Sequence, residues 1–461
     1  MAEGRRNGLE HALRAAIRDG RLAAGARLPS TRALAAELDL ARNTVSAAYD
    51  QLTDEGYLLA RQGSRTEVAG LTGAVGDPAG DVPSHDLRPG HETVPRHDLR
   101  PGTPDATHFP IGPWLRASRH ALTRAPAEAF GYGDPRGRVE LRTALADYLG
   151  RARGVVAAPE RIVITSGSLQ ALAILGRVLP GTGPVAMEDP GMPMHQEVMR
   201  LAGQAVVPLP VDDDGARIDL LARTGARAVV LTPTHQYPTG VMLHLARRHA
   251  LIDWARATGG LVIEDDYDGE FRYDRQPVGA IQGIAPDHVV YLGTASKSVA
   301  PAVRLAWMVL PPHLVLPAAD AKRRTDYQTE ALGQLTLAEM ITRYDYDRHI
   351  RASRQRYHAR RDLLISRLEP RVGRPLSGYA LQGIAAGLHA LISLSEEGPS
   401  EHDIIARAAA RGLALEGLTE HWLDGREEPG RATGIMIGYG APGDSAYRAA
   451  LDVLIGVLSW P

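Results

Sequence analysis

Apolar residues recur at four-residue steps near the start of the chain: Leu9, Leu13 and Ile17 form one face of an amphipathic helix. "GARLPS" breaks the pattern, and Ser30 offers an N-cap for a second helix carrying Leu34 and Leu38. "DLAR" reads as a short turn. "NTVSAAYDQL" follows as a third helix with Val45, Tyr49 and Leu52 inward. "GYLLARQGSRTEVA" then reads as two short strands about a Gln-Gly-Ser turn. Residues 70–96 lose this periodicity and are rich in Gly, Pro and Asp, which predicts a linker. The hexapeptide "HDLRPG" occurs there at 85–90 and again at 97–102. The second copy leads into the next patterned segment; the first reads as a duplication scar. From about 97, apolar runs alternate with amphipathic helices: "RIVITS", "PVAMED", "ARAVVLTP", "LVIEDDY", "HVVYLGT" and "VRLAWMVLP". After about 345 an Arg-rich helix and an α+β pattern take over.

These patterns predict three parts. Residues 1–69 run helix, helix, tight turn, helix, hairpin, the order of a winged helix-turn-helix whose third helix enters the DNA major groove. Periodicity alone equally allows a plain structural module. Residues 70–96 are the linker. Residues 97–461 predict an α/β domain with a parallel sheet covered on both faces, and a smaller C-terminal lobe from about 346. A length of 461 residues suits two or three domains. A net charge of −2 gives no global field towards nucleic acid. The absence of cysteine excludes disulfides, thiolate catalysis and Cys-ligated zinc, and no metal is expected. "MAEGRRNGLEHAL" lacks the apolar stretch of a secretion signal, and no apolar run reaches transmembrane length. The expectation is a cytoplasmic protein without a membrane partner.

Candidate chemistry gathers in the long α/β segment. Lys297, in "GTASKSVAPAVRLAW", is one of only two lysines in a chain that otherwise writes arginine. A lysine in an apolar pocket can lose its proton and attack a carbonyl, which arginine cannot. From these flanks alone, chance survival of a lysine stands equally open. "ITSGSLQAL" places a strand, Ser-Gly-Ser and a helix start, where free N–H groups can hold a phosphate. "LVIEDDYDGEFRY" ends an apolar strand in acids, and alternation puts Ile263, Asp265 and Tyr267 on one face. A carboxylate there can hold a pyridinium N–H, and a tyrosine can bond a phenolate oxygen. Arg304 stands where it can reach a phosphate. An imine lysine, a ring-nitrogen carboxylate and a phosphate cup are together what pyridoxal 5'-phosphate requires.

"GARLPSTRALAAELDLARNTVSAAYDQLTDEGY" resembles the GntR family of bacterial regulators. The segments "YGDPRGRVELRTALADYLGRARGV", "ITSGSLQAL", "TPTHQYPTG", "IEDDYDGEFRYD" and "GTASKSVAPAVRLAWMVLP" resemble, in order, the aminotransferase domain of fold type I. The whole chain looks like a MocR/GabR-type regulator, in which a GntR reader is joined by a linker to such a domain. The resemblance implies a regulator that binds a double-stranded DNA operator, carries pyridoxal phosphate and senses a small-molecule effector. It places Arg32, Arg42 and Thr44 at the DNA, with the wing tip at Gln62 and Gly63. Arg65 replaces a usual wing glycine; a phosphate or minor-groove contact and simple solvation stay open for it. Lys297 would carry the internal aldimine, Asp265 would pair with the ring nitrogen and Tyr267 would approach the ring oxygen. Asp266 replaces Asp265 if the strand register is off by one. Gly167, Ser168, Thr294, Ser296 and Arg304 would surround the phosphate, and Tyr132 would reach it from a partner subunit of a head-to-tail homodimer.

Three positions depart from the family pattern. Relatives often carry an aromatic residue over the cofactor ring where this chain has Met192. Some carry an arginine at Met194, and many carry a carboxylate-binding arginine at Met436. These methionines are expected to line the effector pocket as soft packing. A methionine cannot bind a carboxylate with a paired fork. An active aminotransferase with an appended DNA-binding domain is the alternative reading. A DNA-binding scaffold that has lost the cofactor is a third.

Overall fold

The computed structural model describes residues 2–60, 66–70, 95–179, 183–273, 279–368, 379–395, 397–423 and 431–459. The chain divides into two units, residues 1–92 and 93–461. In the first, helices Ala2–Arg18, Thr31–Glu37 and Arg42–Asp54 surround a core that includes Leu9, Ile17, Ala35, Val45, Tyr49 and Leu52. Ser30 caps the second helix, its side-chain oxygen accepting from the Ala33 amide at 3.2 Å. That helix stops one residue earlier than its apolar pattern predicts. Leu38 is therefore 44 % exposed, not inward. Asp39 takes a left-handed turn at φ 50° and brings Leu40 against the core in its place. Strands Leu58–Leu59 and Glu67–Val68 pair antiparallel, the base of a wing. Gln62, Gly63 and Arg65, the expected wing tip, lie outside the described residues. So do residues 71–94, which hold most of the expected linker and the first "HDLRPG" copy.

In the second unit an eight-stranded sheet runs, in spatial order, Ile162–Thr165, Ala306–Val309, Val289–Thr294, Leu261–Asp265, Ala228–Leu231, Val185–Asp189, Val206–Asp212 and Gly215–Ala216. The five strands from Val289–Thr294 to Val206–Asp212 are parallel to one another. Ala306–Val309 is antiparallel to both neighbours, which corrects the all-parallel expectation. The connection from Thr294 to Ala306 is too short for a crossover helix, so the chain can only return antiparallel. Alternation along the strands feeds two cores. Ile263, Val290 and Leu292 pack with helix Ser168–Val178, while Val229, Val262 and Val289 pack with helix Leu245–Thr258.

The C-terminal lobe is an antiparallel sheet of Tyr379–Gln382, His389–Leu394, Gly434–Gly438 and Glu416–Gly417, packed with helices Asp345–Leu368, Glu401–Ala409 and Asp444–Leu458. The second "HDLRPG" copy belongs here: His97–Asp98 pairs with Leu413–Ala414, and Leu99 is fully buried. No described helix is long and apolar enough to cross a membrane.

Candidate functional site

The parallel strands end together, and the loops leaving them enclose a cavity of about 360 Å³. Lys297 enters it from the short helix Ala295–Ser298, which follows strand Val289–Thr294 directly. The Thr294 hydroxyl caps that helix by accepting from the Ser296 amide at 3.1 Å. Lys297 Nζ donates to the carbonyl of Gly102. Burial lowers the pKa of its ammonium, and Asp268 and Asp265 offset this in part.

Asp265 ends its strand facing the cavity and is 3 % exposed. Among the described residues none donates a hydrogen bond to it; His195 Nδ1 stands 3.6 Å from its Oδ2. Burial and neighbouring Asp266 push the Asp265 carboxyl up to about 7. Burial and Lys297 push the His195 imidazole down to about 4, so it is neutral beside that carboxyl near neutral pH. Asp266 turns the other way and accepts from Arg153 Nε and Tyr291 Oη, each at 2.7 Å. Tyr267 lies past the strand end, so it does not share a strand face with Ile263, which is in the core beneath. It still lines the cavity, reaching it from the turn.

Gly167 precedes helix Ser168–Val178, whose first N–H groups have no intrahelical acceptor. A Cβ on Gly167 would stand 3.1 Å from Arg304 Nη2, so glycine leaves room for the guanidinium at the helix start. Arg304 takes a left-handed backbone at φ 53°, and its guanidinium has no hydrogen-bond partner among the described residues. Gly167, Ser168, Thr294, Ser296 and Arg304 all line the cavity. Tyr132 does not; it is 84 % exposed, with its ring 4.9 Å from that of Tyr327.

Met192 and Met194 line the cavity as expected from their positions, but Met436 does not. It is fully buried against Tyr237, Leu391 and Leu418, with Met192 and Tyr267 at the edge of the cluster. Strands on both sides of Gly434–Gly438 place Leu391 and Glu416 in register with Met436, which keeps it in the packed interior.

Several residues of this site escape a motif reading. Gly102, the last residue of the second "HDLRPG" copy, and Thr103 after it line the cavity, though in the linear chain the second copy reads only as the opening of the next domain. Glu188, from the end of "PVAMED", accepts from the Thr232 amide and hydroxyl at 2.9 and 2.6 Å, and burial pushes its carboxyl up to about 7. His195 and His389 also line the cavity. His235 and Asp268 stand behind Tyr267, inside the quoted "TPTHQYPTG" and "IEDDYDGEFRYD". Their proximity is tertiary, so no local spacing announces it.

In the N-terminal unit the arginines divide into two groups. Arg14 holds Glu55 through both Nε and Nη2, and Arg27 holds Glu67 at 3.1 Å. Arg32 and Arg42 are exposed and have no such partner among the described residues, and Thr44 is half-buried beside Arg42. Arg42 is the first residue of the third helix, where the helix dipole adds to its charge.

Comparison with known proteins matches residues 5–68 to the bacterial regulatory proteins of the gntR family and residues 102–415 to aminotransferases of class I and II. The HTH-type transcriptional regulator YhdI of Bacillus subtilis is 32 % identical over 95 % of this chain and 92 % of its own. The probable rhizopine catabolism regulatory protein MocR of Rhizobium meliloti is 34 % identical over 77 % of this chain and 75 % of its own. Among solved structures, kynurenine aminotransferase from Pyrococcus horikoshii, in complex with PMP, has a TM-score of 0.71. It is 25 % identical, over 80 % of this chain and 91 % of that one. Pyridoxal phosphate is the cofactor of this domain, and the residues fit it. The cavity offers an amine, a buried carboxylate that has no donor among the described residues, and a guanidinium at a helix start that has no partner among them. With a winged reader at one end and this fold over the rest, the chain belongs to the GntR-family transcriptional regulators fused to an aminotransferase-like domain, the MocR type.

Proposed function

We propose that the cavity holds pyridoxal phosphate covalently through Lys297 and reports a small-molecule effector to the DNA reader. The observation that carries this reading is the convergence of Lys297, Asp265, Tyr267 and Arg304 on one cavity. In it, Asp265 holds the ring-nitrogen proton, and Tyr267 donates to the ring oxygen. Gly167, Ser168, Thr294, Ser296 and Arg304 bind the phosphate. When bound, the cofactor supplies an electrophilic carbon that exchanges amines. Lys297 serves this by being a lysine whose neutral form burial favours. Arg32, Arg42 and Thr44 read the operator. The protein acts in the cytoplasm as a head-to-tail homodimer. Supporting a second copy, Ile111, Leu115, Phe130 and Tyr132 are each more than half exposed, large apolar side chains that a partner subunit would cover. Tyr132 then reaches the partner's phosphate. Light scattering after size exclusion tests the dimer; a monomer at micromolar concentration rejects it.

The function as a whole is tested by titrating a duplex, selected from random sequence by the purified protein, with and without cofactor and amine. A DNA affinity indifferent to both would reject sensing. The intact cavity also favours residual amino transfer, the second reading. Measurable turnover of an amino donor and a keto acid would establish it.

The effector is expected not to be a plain amino acid held by its carboxylate. Among the described residues, Lys297 and Arg304 are the only lysine or arginine side chains lining the cavity, and the cofactor occupies both. A missing guanidinium removes charge-assisted bonds worth about 1.5–3 kcal/mol each. γ-Aminobutyrate, alanine and glutamate should therefore perturb the cofactor's visible absorbance only weakly. Apolar amines, which suit Met192, Met194 and Leu388, should perturb it more strongly. Micromolar binding of a plain amino acid, coupled to a change in DNA affinity, would sink this.

A further inference from the structure

Behind Tyr267 stands a buried polar group that the cofactor shell does not use. His235, 2 % exposed, comes from the loop after strand Ala228–Leu231. Its Nδ1 lies 2.8 Å from Asp268 Oδ2 and 3.1 Å from Tyr267 Oη. A carboxylate only accepts, so Nδ1 carries the proton and donates to Asp268. Tyr267 therefore cannot donate to that nitrogen. Its oxygen can accept from the same N–H, and because that N–H also engages Asp268, the carboxylate that competes for the Tyr267 proton, the hydroxyl is turned to the cavity it lines. Burial raises the Tyr267 pKa well above normal, with Asp268 adding to it, so the phenol stays a donor.

The arrangement needs both lobes. His389, on the small-lobe strand His389–Leu394, packs its ring 4.8 Å from that of His235. Its Nε2 stands 3.2 Å from the carbonyl of Pro238 and must carry a proton to donate there. Burial, with His235 adding to it, holds His389 well below the usual histidine range, so it is neutral. Gly387 makes the approach possible. It sits at φ 72°, and a Cβ there would overlap His235 Cε1 and stand 2.5 Å from Asp268 Oδ2. The groups facing His235 are thus Asp268 and Tyr267 from the loop after strand Leu261–Asp265, and His389 from the small lobe. Beyond His389 come Tyr237, Lys297 and His421.

We propose that His235, held by Asp268 and backed by His389, is a positioning residue that fixes the Tyr267 hydroxyl as a donor into the cavity. The proposal rests on the reading of Tyr267 as the ring-oxygen partner. Without the His235 N–H, the Tyr267 proton turns to the freed Asp268 carboxylate, and the ring oxygen loses its donor.

The experiment follows the pH midpoint of the bound cofactor's visible absorbance in the full-length protein. A donor to the ring oxygen favours the deprotonated form, so its loss raises the midpoint. Tyr267→Phe should raise the proton affinity about tenfold, as expected for one lost hydrogen bond to an anion. His235→Ala should move it in the same direction. His235→Asn, which keeps an N–H near the Nδ1 position, should restore most of it. In the Tyr267→Phe background, His235→Ala should add nothing, because the two act through one hydrogen bond. Should His235→Ala fail to fold, His235→Phe removes the same N–H with the ring shape kept and no charge changed, and should also raise the midpoint. An unmoved midpoint in His235→Ala, or an equal shift in the Tyr267→Phe background, overturns the positioning role. If Tyr267→Phe itself moves nothing, the ring-oxygen reading fails and the proposal falls with it. A wild-type protein without visible absorbance overturns both and the cofactor reading as well.

Discussion

Lys297→Ala is expected to abolish borohydride-fixable attachment of pyridoxal phosphate. The effect should be complete, not graded. Lys322, the other lysine, is fully buried, has its Nζ 2.9 Å from both carboxylate oxygens of Asp326, and is not among the cavity residues. No second lysine is therefore placed to substitute. Lys297 suits the role because burial lowers its pKa, which raises the neutral, nucleophilic fraction at a given pH above that of a solvated lysine. Mass spectrometry after reduction and proteolysis checks this. A cofactor adduct on any other residue, or a reducible adduct surviving in Lys297→Ala, would show the assignment to be wrong. Lys297→Arg separates charge from chemistry. It keeps a cation beside Asp265 and should lose the adduct just as completely, because a guanidinium does not give up its proton.

Arg42→Ala should carry the next largest effect, on specific DNA binding. A bidentate contact to a base is worth about 1–3 kcal/mol of discrimination. Arg42 is exposed at the start of the third helix and has no acidic partner among the described residues, so it is free for such a contact. Arg14→Ala is the matched control, because that guanidinium is held by both oxygens of Glu55. Anisotropy titrations on the selected duplex and on a scrambled one separate two roles. Loss confined to the selected duplex marks base reading, while equal loss on both marks a phosphate contact. Unchanged affinity on both would remove Arg42 from the interface. Cofactor absorbance should be untouched in this variant, which guards against a general folding defect.

The mixture of legible and illegible features has a physical basis. Helix starts, turns and strand alternation depend on neighbours a few residues apart. The Ser30 cap and the inward Val45, Tyr49 and Leu52 are therefore visible in the linear chain. So is the identity of the candidate lysine, since Lys297 is a chemical exception among arginines. Where a helix stops is less secure. One left-handed residue, Asp39, exchanges Leu38 for Leu40 at the core.

What the linear chain alone determined about this protein is its plan of a small helical unit followed by a large α/β one, the order of most of its elements and the residue types available for cofactor chemistry. Tertiary structure alone decided which of them meet. Asp265 and Asp266 are neighbours with equal chemistry, and alternation chose Asp265 only for one strand register, with Asp266 taking its place if the register slips by one. Arg153 and Tyr291 claim Asp266, leaving Asp265 to the cavity with no donor among the described residues. Met436 looked like a pocket residue because of the slot it fills in relatives, but strands on both sides of its own hold it in a packed cluster. Gly102 and His389 enter from segments far apart in the chain and meet Lys297 and His235 only when the small lobe folds against the large sheet. Such meetings depend on long-range packing and on close approaches such as that at Gly387, and no local spacing encodes them.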